Sequence, residues 1–581
     1  MPSLAVALCT CGGALAAILD LEQLGANLAQ WDPAMQVFQI DRVCTQTGQD
    51  ALVKNIKEGS PNMIVIGACM PCLYGRITAA IGKQTGLSPA LIDVVDICTP
   101  IFPGRDADSR RVSKQIESSL KMSIGKLRDA DPAPSSYMQI VRKALVIGGG
   151  VAGMTAALAI ADHGFKVDLV EKDTVLGGQV RHLYRTIDGI GTADLLEKSV
   201  SRVEAHENIS VHKGSRVIHS QPHEGLSFLT TIETDDGEGK LKLLDHGVTI
   251  LATGGKEAPA RAYCYGKSES VLTQHELEAR LENGAIDPSG LRSVAMIQCA
   301  GSREEGRNYC SRVCCSSALK NALYLKQQNP EINIYIFYRD IMTYGFLEAY
   351  YTRARREGIV FIQYTPDSKP EVSPPAWPAA ILQAGILAAG PTGAVPPPAS
   401  PLRISARDPI LGRDIVLEPD LLVLSTGIVP EDQRMLADLF GIEINEDGFF
   451  READYKWQPV NSRKRGIFIC GMAHSPRSIP ESIAMAQAAA IRALSMLGGE
   501  RMEGSKTVAG VRRSLCSLCE RCVSACPYDA RRRNEEEDII EIDELACQGC
   551  GSCAAICPNS ASVVRGYSDR QVLAMLDAAL D

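Results

Sequence analysis

Short apolar runs separated by polar stretches dominate the first part of the chain. Leu4–Leu8 and Met63–Ile66 have the length and composition of buried strands, and each run leads into cysteines. Residues 110–128 repeat apolar side chains at helical spacing, which predicts a helix with one apolar face. A polar stretch with prolines, Asp129–Ser136, predicts a linker. The first domain is therefore expected to span residues 1–128.

The pattern then changes to alternating strands and helices. Lys143–Ile147 is a strand of buried type that leads through a glycine-rich turn into an alanine-rich helix, 154–163. The turn fits G-x-G-x-x-G with Gly148, Gly150 and Gly153. The next strand, Lys166–Val170, ends at Glu171. This order predicts a Rossmann-type dinucleotide site, with pyrophosphate at the helix amino terminus and the acid on a ribose hydroxyl.

Later motifs favour FAD as the dinucleotide. A second glycine turn follows the acid, two apolar strands end in Thr-Gly pairs, and a last strand reaches Gly471 before a helix that begins near Pro480. That helix is predicted to direct its positive end toward the flavin, although packing on the sheet is the simpler alternative. The residues predicted to bind FAD are Gly148, Gly150, Val151, Ala152, Gly153, Glu171, Lys172, Gly177, Gly178, Gln179, Ala252, Thr253, Gly254, Thr426, Gly427 and Gly471.

The α/β pattern continues to about residue 505, so a flavin domain is expected over 140–505. Within it, residues 366–401 are rich in proline and alanine and predict a surface insertion.

Eight cysteines near the carboxyl end form two runs of the pattern Cys-x2-Cys-x2-Cys-x3-Cys-Pro. This is the bacterial ferredoxin spacing, in which three close cysteines hold one 4Fe-4S cluster and the fourth binds the other cluster. One predicted ligand set is Cys516, Cys519, Cys522 and Cys557, and the other is Cys547, Cys550, Cys553 and Cys526. Zinc is the alternative for Cys-x2-Cys pairs, but two complete runs disfavour it. A ferredoxin domain is expected over 510–568, followed by a helix at 569–581.

Composition narrows the class further. The chain has 581 residues, 45% of them apolar, and a formal charge of −9, which gives no basic surface for nucleic acid. No run of 18 apolar residues predicts a membrane span. The 20 cysteines, without a cationic leader, indicate metal-binding thiolates and a cytoplasmic protein. Arg531-Arg532-Arg533, followed by acidic residues, is interpreted as a solvated loop between the two ferredoxin halves.

Four more cysteines lie where flavoproteins of this type carry a second nucleotide fold. The strand Ser293–Gln298 enters no glycine-rich loop but a segment with Cys299, Cys310, Cys314 and Cys315. Free cysteines are common in protein cores, but four within 17 residues on polar loops argue against that explanation. The interpretation is a third 4Fe-4S cluster, built into the flavin domain.

These motifs resemble the HdrA family of heterodisulfide reductase subunits. Cys-x-Gly-Ser-Arg stands at 299–303, Tyr-Cys-Ser-Arg-Val-Cys-Cys at 309–315, and Thr-Tyr-Gly-Phe at 343–346. The resemblance covers nearly the whole chain. It implies an α/β, thioredoxin-reductase-like FAD domain between an amino-terminal α/β cluster domain and a carboxy-terminal 2x4Fe-4S ferredoxin-like domain. Some members insert a further ferredoxin module, but residues 190–290 contain only Cys264, so that module is absent here.

Six cysteines in the first domain are candidates for one more cluster: Cys9, Cys11, Cys44, Cys69, Cys72 and Cys98. The family's arrangement is similar at Cys9/Cys11, Cys44, Cys69 and Cys98, and the predicted set is Cys9, Cys44, Cys69 and Cys98. A thioredoxin-like dithiol at Cys69 and Cys72 and purely structural thiols are the alternatives. The residues alone do not decide which four bind.

The resemblance implies an FAD-dependent and iron–sulfur-dependent electron-transfer component of a multi-subunit oxidoreductase in anaerobic metabolism. Flavin-based electron bifurcation, linking a two-electron donor or a disulfide/thiol couple to ferredoxin, is the expected function. The flavin itself is the redox centre, and no side chain is assigned a catalytic role. The expected partners are other subunits of a heterodisulfide-reductase-like complex and ferredoxin, in a homodimer or larger assembly.

Two alternatives remain open. One is a non-bifurcating electron-transfer scaffold in a quinone-linked or aromatic-ring-reductase complex. The other is an NAD(P)H-dependent flavoenzyme like the small subunit of glutamate synthase. A second G-x-G-x-x-G/A turn would favour the latter, and none occurs at 293–305.

Overall fold

The structure is a computed structural model. It describes residues 3–15, 19–69, 75–98, 109–130, 137–223, 227–235, 237, 239–374, 402–456, 458–499, 501–503, 507–528, 530–544 and 546–581. The chain divides into two compact units, Met1–Met138 with Arg501–Asp581, and Gln139–Glu500. The predicted boundaries 1–128, 140–505, 510–568 and 569–581 stay predictions. Most of the predicted insertion, 366–401, and most of the predicted linker lie outside the described residues.

The amino-terminal part of the first unit is built on a parallel four-stranded sheet. Its order is Gln36–Ile40, Leu4–Cys9, Met63–Ala68, Ile92–Asp96. The helices that accompany it are Leu21–Trp31, Gln46–Gly59, Gly75–Thr85 and Ser109–Arg128, with short 3-10 turns at Cys11–Gly13 and Pro89–Leu91.

Both faces of this sheet are buried, because successive strand side chains point to opposite sides. Val6 and Leu8 pack in one core with Ile116 and Leu120 of the long helix Ser109–Arg128. Ala5, Ala7 and Cys9 pack in the opposite core with Leu52 and Ile56. The predicted strands and the predicted helix at 110–128 are therefore present in the structure.

The carboxy-terminal part of the first unit holds small antiparallel pairs. Ala509–Val511 pairs with Ser562–Val564, and Arg531–Asn534 pairs with Ile539–Ile542. Its helical segments are Arg513–Leu515, Arg521–Ser524, Ser552–Ala555 and the terminal helix Asp569–Leu580. Within the same unit, the terminal helix packs on Ser109–Arg128, and Gln571 Nε2 donates to the Lys126 carbonyl at 3.2 Å.

The interpretation of Arg531-Arg532-Arg533 as a solvated loop is wrong. These residues begin the strand Arg531–Asn534, and Arg531 is only 4% exposed. Charge along a sequence does not report strand alternation, which directs Arg531 inward and leaves the Arg532 side chain 82% exposed.

The second unit contains two parallel five-stranded sheets. The first, the flavin sheet, has the order Ile467–Ile469, Val248–Leu251, Lys143–Ile147, Lys166–Val170, Ile209–His212. The other, the sulfur-side sheet, has the order Val271–Thr273, Leu421–Leu424, Ser293–Ile297, Asn333–Tyr338, Val360–Gln363. The strand predicted at 293–298 is thus the central strand of its sheet.

Smaller sheets complete this unit. Two antiparallel sheets have the orders Lys240–His246, Ser227–Thr234, Ser215–His223 and Glu371–Ser373, Arg403–Asp408, Arg413–Leu417, and Gly255–Glu257 pairs with Ile428–Pro430. The helices are Val151–Ala161, Thr192–Ala205, Gln274–Glu282, Cys314–Gln328, Glu348–Arg356, Arg434–Phe440 and Ile479–Leu497. The 3-10 turns are Gly178–His182, Pro288–Gly290, Gly345–Leu347 and Gly471–Ala473. The short strands Tyr137–Gln139 and Arg501–Glu503 lie where the chain passes between the two units. No helix in the described part of the chain is long and apolar enough to cross a membrane.

Replacing Gly125 with alanine tests the packing of the terminal helix. Alanine in a helix interior normally stabilises by up to about 1 kcal/mol. Here a Cβ at Gly125 would lie 2.6 Å from the carbonyl oxygen of Ala574, which is closer than van der Waals contact permits. We expect Gly125→Ala to destabilise the first unit by about 1–3 kcal/mol, measured by denaturant unfolding. Gln115→Ala, at an exposed position of the same helix, is the control, and equal effects would contradict this packing.

Candidate functional site

The first glycine turn of the flavin sheet has the close contacts that the sequence predicts. Gly148 follows the strand Lys143–Ile147 with a φ of +109°, and a Cβ there would lie 2.3 Å from the carbonyl oxygen of Ala252. A Cβ at Gly153 would lie 1.8 Å from the Gly148 carbonyl oxygen. The helix Val151–Ala161 therefore begins directly against the strand, with its free amide groups at the turn.

The predicted ribose acceptor lies at the same turn. Glu171 follows the strand Lys166–Val170, is buried, and accepts hydrogen bonds from the amides of Gly149 at 2.5 Å and Asp173 at 2.9 Å. Lys172 is directed elsewhere, because its ammonium lies 3.1 Å from a carboxylate oxygen of Glu431.

The two glycine turns contact each other. The Gly177 amide donates to the Gly149 carbonyl at 2.9 Å, and a Cβ at Gly178 would lie 3.1 Å from the Cα of Gly150. Gln179 lies in the 3-10 turn Gly178–His182 that follows. The second glycine turn therefore packs on the first, and a side chain at Gly178 would crowd the backbone of Gly150.

The remaining predicted FAD residues lie at strand ends. Ala252, Thr253 and Gly254 follow the strand Val248–Leu251, and a Cβ at Gly471 would lie 2.8 Å from the Ala152 side chain. The hydroxyl oxygens of Thr253 and Thr426 are buried without a hydrogen-bond partner among the described residues. Buried hydroxyls normally have a partner, so these two fit a polar ligand that the protein alone does not supply.

The cysteines of 299–315 lie at the carboxyl end of the central strand of the sulfur-side sheet. Cys299 follows Ser293–Ile297 with a left-handed φ of +55°, and Cys314 begins the helix Cys314–Gln328. Cys299 and Cys315 are buried. Burial, aided by the other thiols, raises the pKa of Cys315 to about 12 and that of Cys314 further. The thiolate is the form that ligates a metal, so binding of a cationic metal centre at these cysteines would release their protons.

This segment, the sulfur loop (residues 299–315), is bonded to the strand end that carries Thr426 and Gly427. The Ile428 amide donates to Ser311 Oγ at 2.8 Å, and the Tyr309 hydroxyl donates to the Ile428 carbonyl at 2.8 Å. An Arg307 guanidinium nitrogen donates to the Thr426 carbonyl at 2.5 Å. The sulfur loop therefore has fixed contacts with residues predicted to bind the flavin.

Arg312 connects the sulfur loop to the beginning of the helix Ile479–Leu497. Its guanidinium donates to the Pro476 carbonyl at 3.1 Å, to the Tyr344 hydroxyl at 3.1 Å, and pairs with Glu481 at 3.3 Å. Glu481 belongs to a capping box with Ser478. Although burial acts to raise the pKa of Glu481, the hydrogen bond from the Ser478 amide and the charge of Arg312 hold it below its ordinary value. The predicted helix is present, and its amino terminus contacts the sulfur loop.

The ferredoxin cysteines line two separate cavities in the predicted combination. About 350 Å³ of empty space is bordered by Cys516, Cys519, Cys522 and Cys557. A second cavity of about 340 Å³ is bordered by Cys526, Cys547, Cys550 and Cys553. In each case the cysteine before proline lines the cavity of the other run, as expected if the fourth cysteine of each run binds the other cluster.

Backbone amides approach the sulfur atoms in both cavities. The amides of Ala509, Ala530 and Ser562 donate to Cys547, Cys526 and Cys557 at 3.2, 3.3 and 3.4 Å. Although burial acts to raise the pKa of Cys557, the backbone amides of Ser562, Asn559 and Ala561 hold it below its ordinary value. Amide donors of this kind stabilise charge on cluster thiolates.

The amino-terminal cysteines gather at the carboxyl edge of their parallel sheet. The sulfur atoms of Cys11, Cys69 and Cys98 lie within 4.8 Å of one another, and Cys9 Sγ lies 3.7 Å from Cys11 Sγ. Burial raises the pKa of Cys98 to about 11. Of the predicted set, Cys69 and Cys98 therefore lie close together and Cys9 lies beside Cys11, whereas Cys44 is exposed and outside the group.

The predicted ligand set omits Cys11, and Cys72 lies outside the described residues. Spacing alone does not separate Cys11 from Cys9. The signal in the sequence is the following Gly12-Gly13, which allows the chain to turn immediately and return the Cys11 side chain toward Cys98, 3.8 Å away.

Family models match two parts of the chain. A model described as 4Fe-4S dicluster domain matches residues 515–561, and one described as FAD dependent oxidoreductase matches residues 144–228. These parts contain all eight ferredoxin cysteines and both glycine turns.

Curated relatives match over the full length. The HdrA-type iron-sulfur subunit of CoB–CoM heterodisulfide reductase from Methanocaldococcus jannaschii is 29% identical, covering 100% of this chain and 99% of that protein. The corresponding subunit of H(2)/formate:CoB-CoM heterodisulfide,ferredoxin reductase from Methanococcus maripaludis is 28% identical, covering 100% and 98%. The chain is therefore similar over its full length to HdrA-type heterodisulfide reductase subunits. It is an oxidoreductase subunit whose cofactors are FAD and iron–sulfur clusters.

Among solved structures, thioredoxin reductase of T. acidophilum is 17% identical with a TM-score of 0.41, over 62% of this chain and 100% of that one. Thioredoxin reductase of Lactococcus lactis is 20% identical with a TM-score of 0.40, over 61% and 99%. The two family models and the two parallel sheets confirm the predicted fold class, an α/β FAD domain with a carboxy-terminal 4Fe-4S dicluster domain.

Substituting Cys11 tests the amino-terminal group. We expect Cys11→Ser to remove about one cluster's iron, because its sulfur lies between those of Cys9 and Cys98. The measurement is iron and sulfide content per chain. Cys264→Ser is the control, since the Cys264 thiol donates to the Val372 carbonyl at 3.4 Å and belongs to none of the predicted sets. Unchanged iron in Cys11→Ser would contradict this assignment.

Proposed function

We propose that this chain is the electron-distributing subunit of a heterodisulfide-reductase-type complex. In this proposal FAD is bound at the paired glycine turns, one 4Fe-4S cluster by Cys299, Cys310, Cys314 and Cys315, two by the ferredoxin cysteines, and one by the amino-terminal cysteines. When bound, the flavin exchanges electrons in pairs or singly, whereas each cluster exchanges one at a time.

The observation that carries the proposal is the attachment of the sulfur loop. It occupies the carboxyl end of the strand Ser293–Ile297, where a second nucleotide fold would carry its glycine turn. Ser311 and Tyr309 bond it to Ile428, beside the predicted flavin residue Gly427. Arg312 also joins it to the helix that begins at Ile479. Sulfur ligands held this firmly beside the flavin residues support a direct electron path between the two.

The residues around this junction have distinct roles in the proposal. Gly148 and Gly153 admit the dinucleotide backbone, Glu171 orients a ribose, and the buried hydroxyls of Thr253 and Thr426 supply hydrogen bonds to the bound flavin. Arg312 positions the sulfur loop and adds positive charge beside it.

The M. maripaludis relative is named for two donors, hydrogen or formate, and for two acceptors, the heterodisulfide and ferredoxin. The relative from Methanosarcina acetivorans is named as part of a ferredoxin:CoB-CoM heterodisulfide reductase and is 26% identical, over 99% of this chain and 84% of that protein. We therefore propose that other subunits and ferredoxin are the partners, and that electron pairs from one donor are divided between a disulfide couple and ferredoxin.

The non-bifurcating scaffold is the second candidate. It is favoured by the aligned length of 676 positions with the M. jannaschii relative, which exceeds the 581 residues of this chain. The relative therefore carries segments that this chain lacks, and a missing module could shorten the electron path. The test is to supply one donor to the reconstituted complex and follow both acceptors. Simultaneous reduction of both acceptors supports the division of electron pairs, whereas reduction of one acceptor alone supports the non-bifurcating scaffold.

Substituting Cys310 tests the junction. We expect Cys310→Ser to lose about one cluster's iron and at least tenfold in the rate of flavin-to-ferredoxin electron transfer, with FAD retained because the glycine turns are untouched. Iron content, flavin absorbance and stopped-flow reduction measure these. Ser316→Ala, at a half-buried position in the same helix, is the control. Full iron content in Cys310→Ser would refute the third cluster.

The NAD(P)H alternative is tested with the isolated chain. We expect NADH and NADPH to leave the flavin absorbance unchanged over minutes, because sulfur ligands replace the second glycine turn. Reduction should require the partner subunits and their donor. Rapid, saturable bleaching by either nucleotide would instead establish the glutamate-synthase-like function.

A further inference from the structure

Arg531 is a buried cation between the two ferredoxin cavities. It lines the cavity bordered by Cys516, Cys519, Cys522 and Cys557, and it also lines the cavity bordered by Cys526, Cys547, Cys550 and Cys553. The residue is only 4% exposed. A guanidinium in such a place is removed from water, so it requires compensation from its surroundings.

The protein groups around Arg531 are neutral. Its Nη1 donates to Ser562 Oγ at 2.8 Å and its Nη2 donates to the Gly510 carbonyl at 3.2 Å. Its Nε has no hydrogen-bond partner among the described residues. In the same described part of the chain, no carboxylate forms an ion pair with Arg531, whereas Arg532 and Arg533 pair with Glu541 and Glu520.

Arg531 is connected to one sulfur of each ligand set through a neighbouring backbone amide. The amide of Ala530, the preceding residue, donates to Cys526 Sγ at 3.3 Å. The Ser562 hydroxyl accepts a hydrogen bond from the guanidinium, and the Ser562 backbone amide donates to Cys557 Sγ at 3.4 Å. The charge is therefore fixed beside both thiolate sets.

We propose that Arg531 is a shared counter-charge that raises the reduction potentials of both ferredoxin clusters together. The inference rests on the proposed function, in which the two cavities hold 4Fe-4S clusters. Reduction adds one electron, and thus one negative charge, to a cluster. A fixed cation in a low-dielectric site stabilises the reduced form over the oxidised one, so the midpoint potential rises. Because Arg531 lines both cavities, it shifts the two potentials in the same direction.

The experiment compares full-length holoprotein with Arg531→Gln, which keeps a hydrogen-bond donor and removes the charge, and Arg531→Lys, which keeps the charge. Arg532→Gln, at an 82% exposed side chain, is the matched control. Midpoint potentials come from electron paramagnetic resonance during redox titration. Cys519→Ser and Cys550→Ser identify the two signals by their loss or change. Iron content is measured for every variant.

We expect Arg531→Gln to lower both midpoints, each by at least a tenfold change in the reduction equilibrium, which is about 59 mV for a one-electron couple. Arg531→Lys should retain most of each potential, and Arg532→Gln should match the wild type.

Unchanged or raised midpoints in Arg531→Gln, or a shift of one cluster only, would overturn the shared role. If Arg531→Gln loses iron, Arg531→Lys decides: wild-type midpoints support the counter-charge, and lowered midpoints or lost iron overturn it. Failure of the proposed function is distinct, because the wild-type chain would then lack signals sensitive to Cys519→Ser and Cys550→Ser.

Discussion

The burial of thiolate sulfur is the constraint on which the rest of this structure depends. A cluster with four thiolates carries negative charge into sites that the chain must close to water, and an uncompensated buried charge is costly. The ferredoxin cavities and the sulfur loop both provide local compensation for this charge. Amides of Ala509, Ala530 and Ser562 donate to sulfur in the ferredoxin cavities, and the Arg312 amide donates to Cys310 Sγ at 3.3 Å. Arginine side chains at 531 and 312 add positive charge. Irregular, tightly turned backbone around the cysteines follows from the need to direct N–H groups at sulfur.

The same constraint explains the form of the flavin–sulfur junction. In a two-nucleotide flavoprotein the carboxyl end of the strand Ser293–Ile297 would direct helix amides at pyrophosphate, which is another anion. Here the helix Cys314–Gln328 begins at a cysteine instead, so the same backbone geometry faces sulfur. Replacing one anion by another at a parallel-strand end requires little change in the fold. Arg312 then binds the loop to the capping box of the helix Ile479–Leu497, and one residue serves both position and charge.

Much of this could be predicted because spacing and backbone geometry are strongly coupled in two places. The fourth cysteine of each ferredoxin run lies too far along the chain to reach its own cavity, so its place in the other cavity is predictable. Gly148 and Gly153 are predictable because the backbone approaches them too closely for any Cβ. The amino-terminal ligands were not predictable in the same way. The candidates within the described residues lie at or after the ends of parallel strands, so which sulfurs meet depends on loop conformation, as at Cys11. Tertiary position, rather than residue type, distinguishes Cys11 from Cys44.

The run of three arginines at 531–533 shows why the burial of Arg531 was not predicted from the sequence. Arg531, Arg532 and Arg533 are identical in sequence character, and a run of charge beside acidic residues ordinarily indicates a solvated surface. The strand Arg531–Asn534 alternates its side chains, so adjacent arginines have opposite environments. Arg532 pairs with Glu541 in water, where the ion pair contributes little to stability. Arg531 has no carboxylate partner among the described residues, and negative charge in the cavities on either side would compensate its burial. An apolar side chain would fill that position at lower cost in the absence of such charge, so the buried guanidinium favours anionic clusters in both cavities.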